Sequence, residues 1–328
     1  MKKFFKVLGY IVGGVFVLVI AFIIYFNASY PNIYPPSNKK VEITQARLER
    51  GKYLANHVTV CMDCHSTRDW TKFTGPITPG TLGKGGDMFD EANAGVPGVI
   101  YARNITPAGI STYTDGELMR VITNGVTKDG EALFPLMPYM GYNHLTKEDL
   151  YSIVAYVRSL KPVENKIPDR SLNFPLNFIV KTIPPHSYKP SPEPDRNNPA
   201  EYGKYLVTIA GCFDCHTEQE KGQYKMDKAF AGGFVFHMPG GEVRSANITP
   251  DQTTGIGAWT KDQFIMRFKI MDPDSNQIAS VGINDFNSPM PWTMYAGMSR
   301  EDLDAIYEYL RTVTPVSQNV VKYTPANH

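Results

Sequence analysis

Cys61-Met62-Asp63-Cys64-His65 and Cys212-Phe213-Asp214-Cys215-His216 spell one pattern, C-x-x-C-H, and together they use all four cysteines of the chain. That spelling is the c-type haem attachment pattern. Two thiols three positions apart on a turn can each add to one vinyl group of a single porphyrin. The adjacent histidine then faces the iron as its proximal ligand. C-x-x-C by itself also serves thioredoxin-like redox pairs and zinc sites. A four-cysteine zinc site would leave both trailing histidines without a reason. The pair of motifs therefore favours two covalently attached haem c groups, one on Cys61, Cys64 and His65, the other on Cys212, Cys215 and His216.

Outward from the motifs the chain repeats itself. Gly51-Lys52-Tyr53-Leu54 returns as Gly203-Lys204-Tyr205-Leu206, and Asn104-Ile105-Thr106-Pro107 as Asn247-Ile248-Thr249-Pro250. Met137-Pro138 returns as Met290-Pro291, and Glu148-Asp149-Leu150 as Glu301-Asp302-Leu303. The order is the same in both copies, so the unit is duplicated. Each copy opens with a short helix running into its haem motif. The second has Asn198 as N-cap and Pro199 at the first helical position. Each copy closes on a helix signalled by Thr146-x-x-Asp149 or Ser299-x-x-Asp302. Leu150, Ile153, Val154 and Val157, and in the second copy Leu303, Ile306, Tyr307 and Leu310, keep helical spacing. A further helix is expected near 115–123 and near 261–268. The reading is an all-α fold, two small domains at 45–163 and 199–328 joined by a Pro-rich linker at 164–198.

Ahead of the repeat lies an uncharged run from Val7 to Phe26, which at helical rise spans about 30 Å, the thickness of a bilayer's hydrocarbon core. It is longer than the apolar region of a cleaved signal peptide, and Asn27-Ala28-Ser29 is a poor cleavage site. Residues 1–29 thus read as a cytoplasmic N-terminus and transmembrane anchor, and 30–44 as a tether. Lys2, Lys3 and Lys6 place the N-terminus in the cytoplasm and the haem domains outside it. A net charge of +1 over 328 residues excludes the basic excess of a nucleic-acid binder.

With His on one side of each iron, the opposite ligand separates electron carriers from catalysts. Among 13 methionines, Met137 falls 72 residues after His65 and Met290 74 residues after His216, and proline follows both. They are the expected axial ligands of the irons held by His65 and His216. Met140 and Met294 do not align between the copies. His57, His144 and His237 recur nowhere in the other copy and read as surface residues. His186 lies in the linker and His328 is terminal. Asn104 and Asn247 read as turn-setting residues. Arg103 and Arg244 read equally as partners of haem propionates or as solvated surface, and Tyr113 and Trp259 as core filling ahead of packing on, or hydrogen-bonding to, the haem periphery.

These motifs resemble the class I cytochrome c fold, present twice. The N-I-T-P and Met-Pro pattern is similar to the membrane-bound multihaem cytochrome c subunits of bacterial alcohol, aldehyde and gluconate dehydrogenases. Such subunits typically carry three haem motifs where this chain has two. The resemblance implies a single-electron carrier between redox proteins: a dehydrogenase subunit, a quinol-oxidising complex or a terminal oxidase. It implies no organic substrate and no catalytic residue. Two alternatives stay open, a haem enzyme resembling a dihaem peroxidase and a subunit that only wires a larger complex.

Overall fold

A computed structural model describes residues 1–220 and 222–326; the terminal His328 lies outside the described residues. Helix α1 (Lys2–Ser29) buries none of its residues against the rest of the chain. It is the one helix among the described residues long and apolar enough to cross a membrane. Its end is docked, not free. The Phe26 ring lies 5.9 Å from that of Phe178, and Lys181 Nζ donates to Asn27 Oδ1 at 2.6 Å.

In the first repeat, α2 (Gln45–Tyr53), α3 (Asp115–Asn124) and α4 (Lys147–Ser159) enclose the core. In the second, α5 (Pro199–Ile209), α6 (Lys261–Lys269) and α7 (Arg300–Leu310) do the same. The caps are those the sequence signals. Thr146 Oγ1 accepts from Asp149 N at 3.1 Å, Ser299 Oγ from Asp302 N at 3.0 Å, and Asn198 Oδ1 from Glu201 N at 3.3 Å. Each satisfies an amide that the first turn leaves without a helical partner. The first and last helices of each repeat cross at a glycine. A side chain on Gly51 would collide with the Ser152 carbonyl, and one on Gly203 with the Ala305 carbonyl. Glycine therefore sets how closely α2 meets α4 and α5 meets α7.

The all-α expectation is wrong. Helix accounts for 40% of the chain, and three small sheets add 10% strand. In the first repeat β1 (Met88–Asp90) pairs antiparallel with β2 (Gly98–Tyr101), with Phe89 opposite Ile100. Within the Pro-rich segment, β3 (Ser171–Leu172) adds to the edge of β2. In the second repeat β4 (Gln219–Glu220) pairs with β5 (Gln223–Tyr224). There β6 (Val235–Met238) and β7 (Gly241–Arg244) form a hairpin, and β8 (Tyr323–Pro325) joins β7 from the C-terminal region. Pro239-Gly240 between runs that alternate in burial is a hairpin signal. The partnership of β8 has no local signal at all.

The two repeats share one apolar core, in which Leu54, Leu150, Leu206 and Leu303 are fully buried. They also exchange polar contacts. Tyr53 of the first repeat donates to Asp302 Oδ2 of the second at 2.7 Å, and Tyr205 donates back to Asp149 Oδ2 at 2.6 Å. The same phenol oxygens accept from Ser299 N at 3.0 Å and Thr146 N at 3.2 Å. The recurrent Gly-Lys-Tyr-Leu stretch thus supplies both a close helix crossing and a reciprocal latch.

Candidate functional site

Each C-x-x-C-H motif sits on a short helical turn, Cys61–Cys64 and Cys212–His216. A left-handed residue breaks the chain just before each turn: Val60 at φ +42 and Gly211 at φ +67. Glycine adopts that region freely, whereas a β-branched residue is strained there by about 1–2 kcal/mol. Matched tyrosines hold both breaks. Tyr142 donates to the Thr59 carbonyl at 2.6 Å, and Tyr295 to the Ala210 carbonyl at 2.9 Å. Sequence reasoning passed over this pair, yet each tyrosine lies at the same spacing after its Met-Pro.

The histidines are held alike. Nδ1 of His65 bonds the Arg103 carbonyl at 2.6 Å, and Nδ1 of His216 bonds the Ala246 carbonyl at 2.8 Å. A carbonyl partner makes Nδ1 the donor and leaves Nε2 as the coordinating nitrogen. Burial lowers both imidazoles from their ordinary value, which keeps them neutral at pH 7. The accepting carbonyl precedes the Asn of N-I-T-P in each copy. Asn104 Oδ1 accepts from Thr106 N and Oγ1 at 2.9 and 2.7 Å, and its amide donates to the Val163 carbonyl at 2.8 Å. Asn247 repeats this with Thr249 at 2.9 and 2.8 Å and Val316 at 2.8 Å. The turn-setting role read for both asparagines thus also aims a carbonyl at the imidazole.

None of the four cysteines is joined to another in a disulfide. Burial pushes Cys61 and Cys64 up and Cys212 up to about 12. No cluster of three or more His, Cys, Asp or Glu among the described residues could hold a metal ion. Two cysteines three positions apart on a turn, followed by an imidazole whose Nδ1 is held by a backbone carbonyl, fit covalent haem.

Met137 and Met290 are both partly buried and pack against the same apolar core as Cys61 and Cys212. Their rivals are elsewhere: Met140 is half exposed, and Met294 is buried in the core. Both motifs border the one apolar core that the repeats share. Burial, then the Cys61 and Cys64 groups, push Tyr142 far up, and Asp214 of the other motif adds to this. Burial, then Cys212 and Cys215, do the same to Tyr295, with Asp63 and Cys64 contributing across the boundary.

Some expectations fail. His57 is not on the surface: it is half-buried in a helical turn, and its Nδ1 bonds the Met294 carbonyl of the second repeat at 2.9 Å. His144, His186 and His237 are exposed. Trp259 is 37% exposed and fills no core. The two readings of Arg103 and Arg244, propionate partner or surface, both stay open: Arg103 reaches the Pro168 carbonyl at 3.3 Å, and Arg244 pairs with Glu242 and donates to Thr324 Oγ1 at 2.8 Å.

Residues 200–314 match the cytochrome c family model. With the internal duplication, the fold and the site define a cytochrome c protein carrying covalent haem c. The chain is similar to cytochrome c subunits of dehydrogenases. It is 30% identical to the cytochrome c subunit of a quinone alcohol dehydrogenase from Gluconacetobacter polyoxogenes, over 85% of this chain and 58% of that protein. It is also 30% identical to the fructose dehydrogenase cytochrome subunit of Gluconobacter japonicus, over 81% of this chain and 52% of that one. A dihaem c-type cytochrome of Cereibacter sphaeroides is 28% identical over 67% of this chain and 73% of its own length. The chain thus spans little more than half the length of the two dehydrogenase subunits.

Proposed function

We propose that the chain is a membrane-anchored dihaem cytochrome that relays single electrons through two irons, one held by His65 and Met137, the other by His216 and Met290. The observation that carries this is the twin imidazole geometry, Nδ1 bonded to a backbone carbonyl and Nε2 left as ligand in each repeat. Haem c at each motif would supply the redox centre; the chain orients the imidazole, excludes water and presents a thioether. The single apolar core against which Cys61 and Cys212 both pack supports a relay inside one molecule.

The domain reading, 45–163 and 199–328 with 164–198 between them, belongs to this proposal. So does the membrane arrangement, with α1 retained as the anchor, its lysines on the cytoplasmic side and both haem domains beyond the opposite face. The relatives bear names of cytochrome subunits of alcohol, fructose and gluconate dehydrogenases, which favours a carrier over a peroxidase-like enzyme. A dehydrogenase subunit or a quinol-oxidising complex is the electron donor in this reading, and a terminal oxidase the acceptor.

Two measurements test it. Mass spectrometry of the native protein should find two covalent haems per chain. The far-red band of a thioether bound to ferric iron should fall by half in Met137→Ala and in Met290→Ala and vanish in the double variant. An intact band in either single variant overturns that ligand.

A further inference from the structure

We infer that Thr74, in the first repeat, is the positioning residue for Met290 in the second, which makes the second iron's ligation depend on the first repeat; this rests on Met290 as ligand. Thr74 is fully buried, and its φ of +59 is unusual for a threonine. Its hydroxyl donates to the Met290 carbonyl and accepts from Trp292 N at 3.2 Å. One side chain therefore grips the backbone on both sides of Pro291.

The loop around it reinforces the grip. Thr74 N donates to Asn287 Oδ1 at 2.7 Å, and the Asn287 amide donates to the Trp70 and Lys72 carbonyls at 3.3 and 3.2 Å. Phe73 N donates to the Ala279 carbonyl at 2.8 Å, and Val281 N to the Thr71 carbonyl at 2.9 Å. The segment that leads to Met290 is thus tied along its length to residues 70–74.

The tie continues into the first motif. Arg68 donates to the Thr74 and Gly75 carbonyls at 2.6 and 2.9 Å, and it pairs with Asp63 at 3.0 Å, inside Cys61–His65. Asp63, Arg68, Thr74 and Met290 therefore form one bonded strap from the first haem motif to the second iron's proposed ligand. The reverse strap does not exist among the described residues. Asp214 accepts from Tyr224 of its own repeat at 2.7 Å. The Met137 carbonyl accepts from Tyr139 N at 2.8 Å, as the Met290 carbonyl does from Trp292 N at 2.8 Å, but among the described residues it receives no hydrogen bond from the second repeat. Sequence twins are thereby made unequal.

The test uses the full-length dihaem protein and the variants Thr74→Val, which keeps shape and loses the hydroxyl, and Thr74→Ser, which keeps the hydroxyl. Spectroelectrochemical titration and the far-red band are read in each. In Thr74→Val one of two potentials should fall and the other stay. The band component that Met290→Ala removes should weaken, and the Met137 component should persist. Added imidazole should bind about fivefold more readily at one iron, the factor carried by one ordinary hydrogen bond. Thr74→Ser should behave as wild type. If Thr74→Val yields no haem protein, Asn287→Ala should give a smaller change of the same sign at the same iron. Unchanged potentials and band, or equal changes at both irons, overturn the inference. If Met290→Ala leaves the band intact, the ligand assignment itself falls. If Met290→Ala removes it and Thr74→Val does nothing, only the strap falls.

Discussion

His57 shows what one residue contributes at the boundary between the repeats. Burial lowers its imidazole from the ordinary 6.5, against the bond to the Met294 carbonyl, which raises it. Lys269 and Lys52 push the same way as burial, and Asp272 pushes back. A histidine whose folded value lies below its unfolded one contributes stability that is present above 6.5 and lost as pH falls through the lowered value. The melting temperature should therefore drop between pH 7.5 and 5, and His57→Gln should drop less, because glutamine keeps an N–H donor and does not titrate. Asp87 works oppositely. Burial raises it to about 6, so its contribution is full below 3.8 and lost as pH rises through 6. The difference between wild type and His57→Gln, not either melting curve alone, reads out His57; equal slopes would remove it from the account.

At the level of elements, the paired helices are where pattern and packing agree most closely. Capping residues and spaced apolar side chains announce α4 and α7, and the recurring glycine turns out to be where α2 crosses α4 and α5 crosses α7. Gly203→Ala should cost about 1–3 kcal/mol, since the added methyl meets the Ala305 carbonyl and overpacks a close crossing. The intrinsic gain of alanine over glycine in a helix, about 0.5–1 kcal/mol, offsets only part of this. A denaturation midpoint equal to or above wild type would show that α5 and α7 can separate freely. The strands were harder to foresee for a physical reason. Strand pairing is settled by a partner that is often far along the chain. β8 meets β7, and β3 meets β2, across stretches with no local turn to announce them.

Across the whole molecule, the repeats are latched by tyrosines that look equivalent and are not. Asp149 accepts two bonds from Arg50, at 2.8 and 2.9 Å, besides that from Tyr205. Asp302 is buried and takes its cross-repeat bond from Tyr53. A hydrogen bond to a charged group contributes about 1.5–3 kcal/mol, against about 0.5–1.5 kcal/mol for an ordinary one. Tyr53→Phe should therefore destabilise by about 2 kcal/mol, and Tyr205→Phe by about 1 kcal/mol because Arg50 still satisfies its carboxylate. Urea denaturation of both variants checks the order, and a larger loss in Tyr205→Phe would contradict it.

The haem motifs, the duplication, the principal helices and the apolar N-terminal run were legible in the letters alone. Each is encoded by residues close in the chain: three-residue thiol spacing, helical periodicity, local caps, an unbroken uncharged stretch. Other properties became visible only once the chain closed on itself. Sheets form between distant strands, His57 reaches another repeat's carbonyl, and Thr74 grips the backbone around Pro291. These depend on atoms far apart in sequence meeting at hydrogen-bond distance, and no local pattern specifies which partner a buried donor will find.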